Sequence, residues 1–178
     1  MLPPLTLVLG GAASGKSAFA ETLVMRSGRP RVYVATAQAF DTEMEEKIAR
    51  HQELRGQGWR TIEEPLEIGR TLAGISGDNA VLIDCATMWL SNHLLAEPDL
   101  TKIDLSEAEA GLMAGFALCA APILIVSNEV GHSVVPENAL ARRFQIEQGN
   151  LNQKLAAKAD LVINVIAGLP QVLKGSLP

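Results

Sequence analysis

The sequence predicts an α/β domain, a mostly parallel sheet with helices on both faces, and three features carry that prediction. Short apolar runs alternate with segments of helical character from one end of the chain to the other. The first run, Leu5-Thr6-Leu7-Val8-Leu9, passes directly into a glycine-rich turn, Gly10-Gly11-Ala12-Ala13-Ser14-Gly15-Lys16-Ser17, and a helix-forming segment follows. The third is size: 178 residues, 48% hydrophobic and 20% charged, suffice for one such domain with a substantial core and are too few for two. We expect a single domain over residues 1–178.

The turn matches the phosphate-loop (P-loop) pattern G-x-x-x-x-G-K-[ST]. A chance glycine-rich turn would satisfy the pattern too, but strand before and helix after is the context that phosphate binding needs. Glycines let the main chain fold closely around phosphate oxygens, with N–H groups pointing inward, and the helix adds the positive end of its dipole. Lys16 is expected to neutralise the β and γ phosphates, and the Ser17 hydroxyl to ligate Mg²⁺.

Taken in order, Gly28-Arg29-Pro30 breaks the first helix, and Arg31-Val32-Tyr33-Val34-Ala35 reads as a second strand ending at Thr36-Ala37-Gln38. Strand carboxyl ends face the ligand crevice in open α/β sheets, which puts Thr36 and its neighbours near a nucleotide. Thr42 and Glu45 form a capping box for a helix over residues 42–55, which Gly56 and Gly58 stop. Lys47, His51 and Arg55 recur every fourth residue, so three basic or potentially basic groups line one face, about 6 Å apart along the axis. Trp59-Arg60-Thr61-Ile62-Glu63 is a short strand, and Pro65 is placed to open a helix through about Ile75.

After the turn Gly77-Asp78-Asn79 comes Ala80-Val81-Leu82-Ile83-Asp84. Many strands end in an acid, but downstream of a phosphate loop this one places Asp84 near a Mg²⁺ ion. A helix over residues 87–96 carries His93, read as an ordinary helix-face residue. Ser106 and Glu109 form a second capping box, opening an apolar helix that Pro122 separates from the buried strand Ile123-Leu124-Ile125-Val126-Ser127; Asn128-Glu129 then reaches the crevice edge. Residues 131–136 are a loop carrying His132. Residues 137–158 are helical in pattern, with Gly149 marking a kink or close packing. The last strand is Leu161-Val162-Ile163-Asn164-Val165-Ile166, followed by Gly168-Leu169-Pro170 and a tail.

Composition narrows the function. A net charge of −5 argues against a general nucleic-acid surface, which needs a basic stripe, so phosphate binding must be local. The apolar stretch over residues 111–126 falls short of the roughly 20 residues of a spanning helix and is divided by Pro122. With no targeting segment at the start, a cytoplasmic protein is expected. Cys85 and Cys119 are isolated, not spaced as metal ligands, and are expected to be reduced core residues.

Several motifs then coincide: the phosphate loop; Tyr33-Val34-Ala35-Thr36-Ala37; Asp41-x-Glu43-Met44 leading into Ile48-x-x-His51-x-x-x-Arg55-x-x-x-Trp59; Leu82-Ile83-Asp84-Cys85; Asn128-Glu129-Val130-Gly131; Val135-Pro136-Glu137-Asn138; and Asn152-Gln153-x-Leu155-Ala156. In this order, over nearly the whole chain, they resemble the bifunctional adenosylcobinamide kinase / adenosylcobinamide-phosphate guanylyltransferase family of cobalamin biosynthesis. The resemblance implies a recombinase-like P-loop fold and two reactions. ATP or GTP phosphorylates the corrinoid's aminopropanol hydroxyl; GTP then transfers GMP onto that phosphate through a GMP-histidine intermediate, giving adenosylcobinamide-GDP and pyrophosphate.

The position matching the family's histidine is His51. On residues alone, a histidine on a charged helix is a solvated surface group; the family pattern makes it the nucleophile. The resemblance also implies nucleotide contacts at Gly10, Gly11, Ala12, Ala13, Ser14, Gly15, Lys16 and Ser17, at Ala35, Thr36 and Ala37, at Gln52, Glu53, Leu54 and Arg55, and at Glu63 and Asp84. It implies a homotrimer, with corrinoid and nucleotide as its small-molecule partners. A neutral imidazole is a good nucleophile toward phosphorus, and Lys47 and Arg55 beside it disfavour its protonation. The chain departs from the family in having Ala13 where an arginine is usual, Gln145-Ile146 where an Arg-Asp pair is common, and His132-Ser133 in a turn usually richer in glycine. Two other functions fit the phosphate loop: a plain small-molecule kinase in which His51 is structural, and a nucleotide-binding switch that transfers nothing.

Overall fold

The computed structural model describes residues 1–38, 56–97, 99 and 102–178. Among them run seven strands: β1 (Leu5–Gly10), β2 (Arg31–Ala35), β3 (Trp59–Glu63), β4 (Ala80–Asp84), β5 (Ile123–Asn128), β6 (Leu161–Ile166) and β7 (Leu169–Lys174). The helices are α1 (Lys16–Arg26), α2 (Ile68–Leu72), α3 (Ala86–Ala96), α4 (Ser106–Leu118) and α5 (Ala139–Lys158). The helix expected over residues 42–55 lies outside the described residues, and with it His51, Gln52, Glu53, Leu54 and Arg55.

All strands form one sheet in the order β3-β2-β4-β5-β1-β6-β7, parallel except for the antiparallel β6–β7 pair. The inner strands are apolar along their length because both faces are covered, as parallel sheets require. On one face α1 packs Ala20, Leu23 and Val24 against Val8, Leu82, Leu124 and Val126. On the other, the remaining helices contribute residues such as Leu72, Trp89, Leu112 and Leu155 to a core with Leu7, Ile83 and Ile125. Of the apolar stretch over residues 111–126, the strand β5 is buried, whereas α4 buries only the face carrying Leu112, Gly115 and Phe116 and leaves Leu118 71% exposed; no helix among the described residues is long and apolar enough to cross a membrane.

Four local expectations are corrected. Pro65 does not open a helix: Glu64 accepts the N–H groups of Leu66 and Glu67 with Oε1, at 3.1 and 2.8 Å, and α2 starts at Ile68 and runs only to Leu72. Ser106 and Glu109 make no capping box. Ser106 is the first residue of α4, with its N–H on Asp104 Oδ1 (2.9 Å), and the buried Glu109 carboxylate pairs with Lys154 of α5, a tertiary partner that outcompetes the local one. Gly149 does not mark close packing: a Cβ there would meet nothing within 4 Å, and α5 continues through it. The tail after Gly168 is strand β7, turned back by Ala167 (φ 51°) and Gly168 (φ 79°), the pair of positive φ values a tight two-residue hairpin demands. Pro170 is tolerated because β7 is an edge strand.

Candidate functional site

The phosphate loop lies between β1 and α1, where the left-handed conformations of Ala13 and Gly15 (φ 55° and 90°) reverse the chain. Gly10 is demanded by space: a Cβ there would lie 2.7 Å from the Val165 carbonyl and strike the Ser14 hydroxyl. Gly15 caps α1 without a side chain, so the first N–H groups of the helix stay turned into the loop. Lys16 Nζ reaches back to donate to the Gly11 carbonyl at 3.1 Å, and Ser14 N–H donates to the same oxygen at 3.3 Å. The Ser14 hydroxyl is buried and has no partner among the described residues. A cradle closed to side chains, edged by backbone donors, an orphaned hydroxyl and an ammonium, fits a chain of phosphates.

Asp84 closes β4 on the α1 face of the sheet, level with Ala35 of β2 and Val126 of β5. Its Oδ2 accepts the Tyr33 hydroxyl at 2.9 Å, and its charge acts on Lys16. Burial lowers the Lys16 pKa, opposed by Cys85 and Asp84 in that order. Desolvation, with Asp84 next, pushes the Cys85 thiol up to about 12, so at neutral pH it is uncharged and Asp84 is the charge that faces Lys16. Ser17 lies in the first turn of α1, so the hydroxyl and carboxylate expected to hold Mg²⁺ belong to the two elements that border the crevice. Both are hard oxygen donors of the kind Mg²⁺ takes, with waters and phosphate oxygens for the rest.

Thr36 sits beside this site, fully buried and engaged by the protein at every polar atom. Its hydroxyl donates to the Cys85 carbonyl (2.8 Å) and accepts the Cys85 N–H (2.7 Å), while its own N–H donates to the Asp84 carbonyl (3.2 Å) and its carbonyl accepts Asn92 Nδ2 (2.8 Å). It ties the end of β2 to the turn after Asp84. Ala35 and Ala37 flank it, half-buried, and Glu63 is exposed at the end of β3, level with Ala35. Of the expected contacts, the structure thus brings residues 10–17, Thr36 and Asp84 to one edge of the sheet, with Glu63 two strands away from Asp84.

Tyr33 as the partner of Asp84 is not apparent from sequence alone, although a tyrosine inside an otherwise apolar buried strand signals a hydroxyl that needs a partner. Asn138, in the motif Val135-Pro136-Glu137-Asn138, caps α5 by accepting the Ala141 N–H at 3.1 Å. His93 is half-buried on α3, edge-on to Trp89 with ring centres 4.6 Å apart, and burial lowers its pKa. Cys85 and Cys119 are free thiols.

Solved structures with this architecture include the RadB recombinase (TM-score 0.54, 18% identity, 92% of this chain and 74% of that one) and the flagellar accessory protein FlaH from Methanocaldococcus jannaschii (TM-score 0.53, 14% identity, 100% and 84%). At such identity the likeness concerns the fold, which is the recombinase-like P-loop arrangement. Sequence relatives are nearer. The bifunctional adenosylcobalamin biosynthesis protein CobP of Pseudomonas aeruginosa is 45% identical over 170 residues, 95% of this chain and 96% of that protein. The proteins named CobU in Salmonella typhimurium and Escherichia coli are 39% and 36% identical, each over 94% of this chain and 98% of their own length. The family profile described as cobinamide kinase / cobinamide phosphate guanyltransferase matches residues 6–173. With a phosphate cradle, its lysine and a strand-end aspartate whose charge acts on that lysine, and a match that runs from β1 into β7, this chain belongs to the cobinamide kinase / cobinamide phosphate guanyltransferase family.

Proposed function

We infer that the chain is a two-stage enzyme of cobalamin biosynthesis, an adenosylcobinamide kinase and adenosylcobinamide-phosphate guanylyltransferase; family membership over residues 6–173 carries this conclusion. In the first stage a nucleoside triphosphate, ATP or GTP, lies along the loop from Gly10 to Ser17. The corrinoid hydroxyl attacks the γ phosphorus and releases its proton to solvent, forming a P–O bond as the bond to the β-phosphate oxygen breaks and a nucleoside diphosphate leaves. Lys16 and the N–H groups at the start of α1 hold the charge that gathers on the phosphate oxygens.

Ser17 and Asp84 are the residues to hold Mg²⁺, which when bound would offset phosphate charge. Tyr33 keeps Asp84 in place through Oδ2, leaving Oδ1 for the ion or its water. In the second stage a ring nitrogen of His51 attacks the α phosphorus of GTP and pyrophosphate leaves; an oxygen of the corrinoid phosphate then displaces the histidine, giving adenosylcobinamide-GDP. Splitting one transfer into two displacements is the benefit of a nucleophile that is also a good leaving group. The nucleotide contacts proposed around these steps are Ala35 and Ala37, Gln52 through Arg55, and Glu63, with Thr36 holding the backbone between strands. We further propose a cytoplasmic homotrimer.

The test is chemical. Incubated with GTP labelled at the α phosphate, the protein should form an acid-labile, base-stable adduct. The adduct should vanish in His51→Asn, which keeps corrinoid phosphorylation, whereas Lys16→Ala should lose both reactions. An active kinase that forms no adduct under turnover conditions would instead be a one-step phosphoryl transferase.

A further inference from the structure

We propose that Asn128 touches the phosphoryl group transferred in the kinase step, and that Asn152, Gln148 and Thr87 act behind it as positioning residues; the proposal rests on the kinase reading above. Strand β5 separates β1, which leads into the phosphate loop, from β4, which ends in Asp84. Asn128 is its last residue, paired in register with Gly10, where the loop begins.

Side chains alternate along a strand. Leu124 and Val126 pack on the α1 face with Leu82 and Val8, whereas Ile123 and Ile125 belong to the opposite core. Ser127 therefore turns toward α5, and Asn128 toward the face that carries Asp84 and the phosphate loop. A half-buried amide between the cradle and the aspartate offers two donors and no charge, suited to oxygens whose charge shifts during transfer.

What holds it there is a polar cluster that also ties β5 to α5. Gln148 and Ser127 are fully buried and Asn152 is 7% exposed, so their polar groups lie in the core, where, among the described residues, all but Gln148 Oε1 find partners. Ser127 Oγ donates to Asn152 Oδ1 (2.6 Å), and Gln148 Nε2 donates to Ser127 Oγ (2.9 Å) and to Asn152 Oδ1 (3.0 Å). Asn152 Nδ2 donates to the Asn128 carbonyl (3.0 Å), and the Asn128 N–H donates to Thr87 Oγ1 (2.8 Å). The next N–H, of Glu129, donates to the Gly10 carbonyl at 3.0 Å. Both backbone groups of Asn128 are thus fixed by side chains from α3 and α5, while its own amide takes no partner among the described residues.

The experiment compares wild type, Asn128→Ala and Asn128→Asp in two separate assays: phosphorylation of adenosylcobinamide, and guanylyl transfer starting from adenosylcobinamide phosphate. Losing a donor that acts mainly in the transition state should lower the kinase kcat of Asn128→Ala by about 100-fold, with the nucleotide KM little changed. Asn128→Asp, which sets a negative charge against the phosphoryl oxygens, should lose at least as much. Guanylyl transfer, directed at the α phosphorus, should fall far less in both. Asn152→Ala should give the same kcat-against-KM pattern in milder form at unchanged nucleotide affinity. Unchanged kinase rates in both Asn128 variants, or parallel loss of the two reactions, would overturn the proposal. A wild-type protein that fails to phosphorylate the corrinoid would instead overturn the kinase reading, and this proposal with it.

Discussion

At the scale of single residues, the site is organised by pairs in which one group holds another. Asp84 is steered by Tyr33, and Lys16 by the Gly11 carbonyl, so neither charge has to be ordered at the moment of reaction. Tyr33→Phe keeps the ring that packs edge-on against Trp59, at 5.9 Å, and deletes only the hydroxyl. We expect the fold to survive and the Mg²⁺ concentration needed for half-maximal kinase activity to rise about 10-fold or more, since supporting hydrogen bonds typically tune metal affinity by that factor; a Mg²⁺ titration of the two proteins checks this. Cys85 is a second residue-scale prediction. Its pKa near 12 exceeds the ordinary thiol value, so the reactive thiolate is scarce below that pH and grows as pH rises. At pH 8 a thiol reagent should leave Cys85 almost untouched in the folded protein and reach it on addition of denaturant; rapid labelling of native protein, located by mass spectrometry, would contradict this.

At the scale of elements, two close approaches do what side-chain packing does elsewhere. Helices α2 and α4 cross where Gly69 meets Gly111 and Gly115: a Cβ on Gly115 would strike the Gly69 backbone, and one on Gly69 would strike the Gly111 carbonyl. Gly115→Ala should therefore destabilise the protein by about 1–3 kcal/mol, as forced overpacking does. Gly111→Ala, whose new methyl meets nothing within 4 Å, should be neutral or slightly stabilising because alanine is the better helix former. Urea denaturation of the two variants separates the close crossing from ordinary helix propensity. The second approach joins the β6–β7 turn to the phosphate loop. Gly168 N–H donates to the Ser14 carbonyl at 2.8 Å, and a Cβ on Gly15 would lie 3.2 Å from the Gly168 Cα. The hairpin thus braces the loop from behind.

At the scale of the whole molecule, the strand order places the functional groups. Inserting β5 between β1 and β4 sets Asn128 between the cradle and Asp84, and pairing β2 with β4 lets Tyr33 and Thr36 reach the same turn. Much of this was legible in the chain. Buried parallel strands announce themselves as apolar runs, and the phosphate loop is a local motif whose glycines, lysine and serine act within eight residues of one another, so the α/β class, the described β1 to β6 and the family were readable without coordinates. Ser106-x-x-Glu109 and Pro65 misled because local helix signals lost to partners distant in sequence, Lys154 for Glu109, or to a side-chain turn, that of Glu64. Strand β7 escaped notice because an exposed edge strand carrying a proline has no apolar run to reveal it. Covalent neighbours and hydrophobic periodicity set which elements form and which motif binds phosphate. Which strand lies beside which, and hence that a tyrosine supports the aspartate and a buried amide cluster supports Asn128, arises only when segments as far apart as Ser127 and Asn152 are packed together. Such contacts depend on the register of the assembled sheet, and no local spacing encodes it.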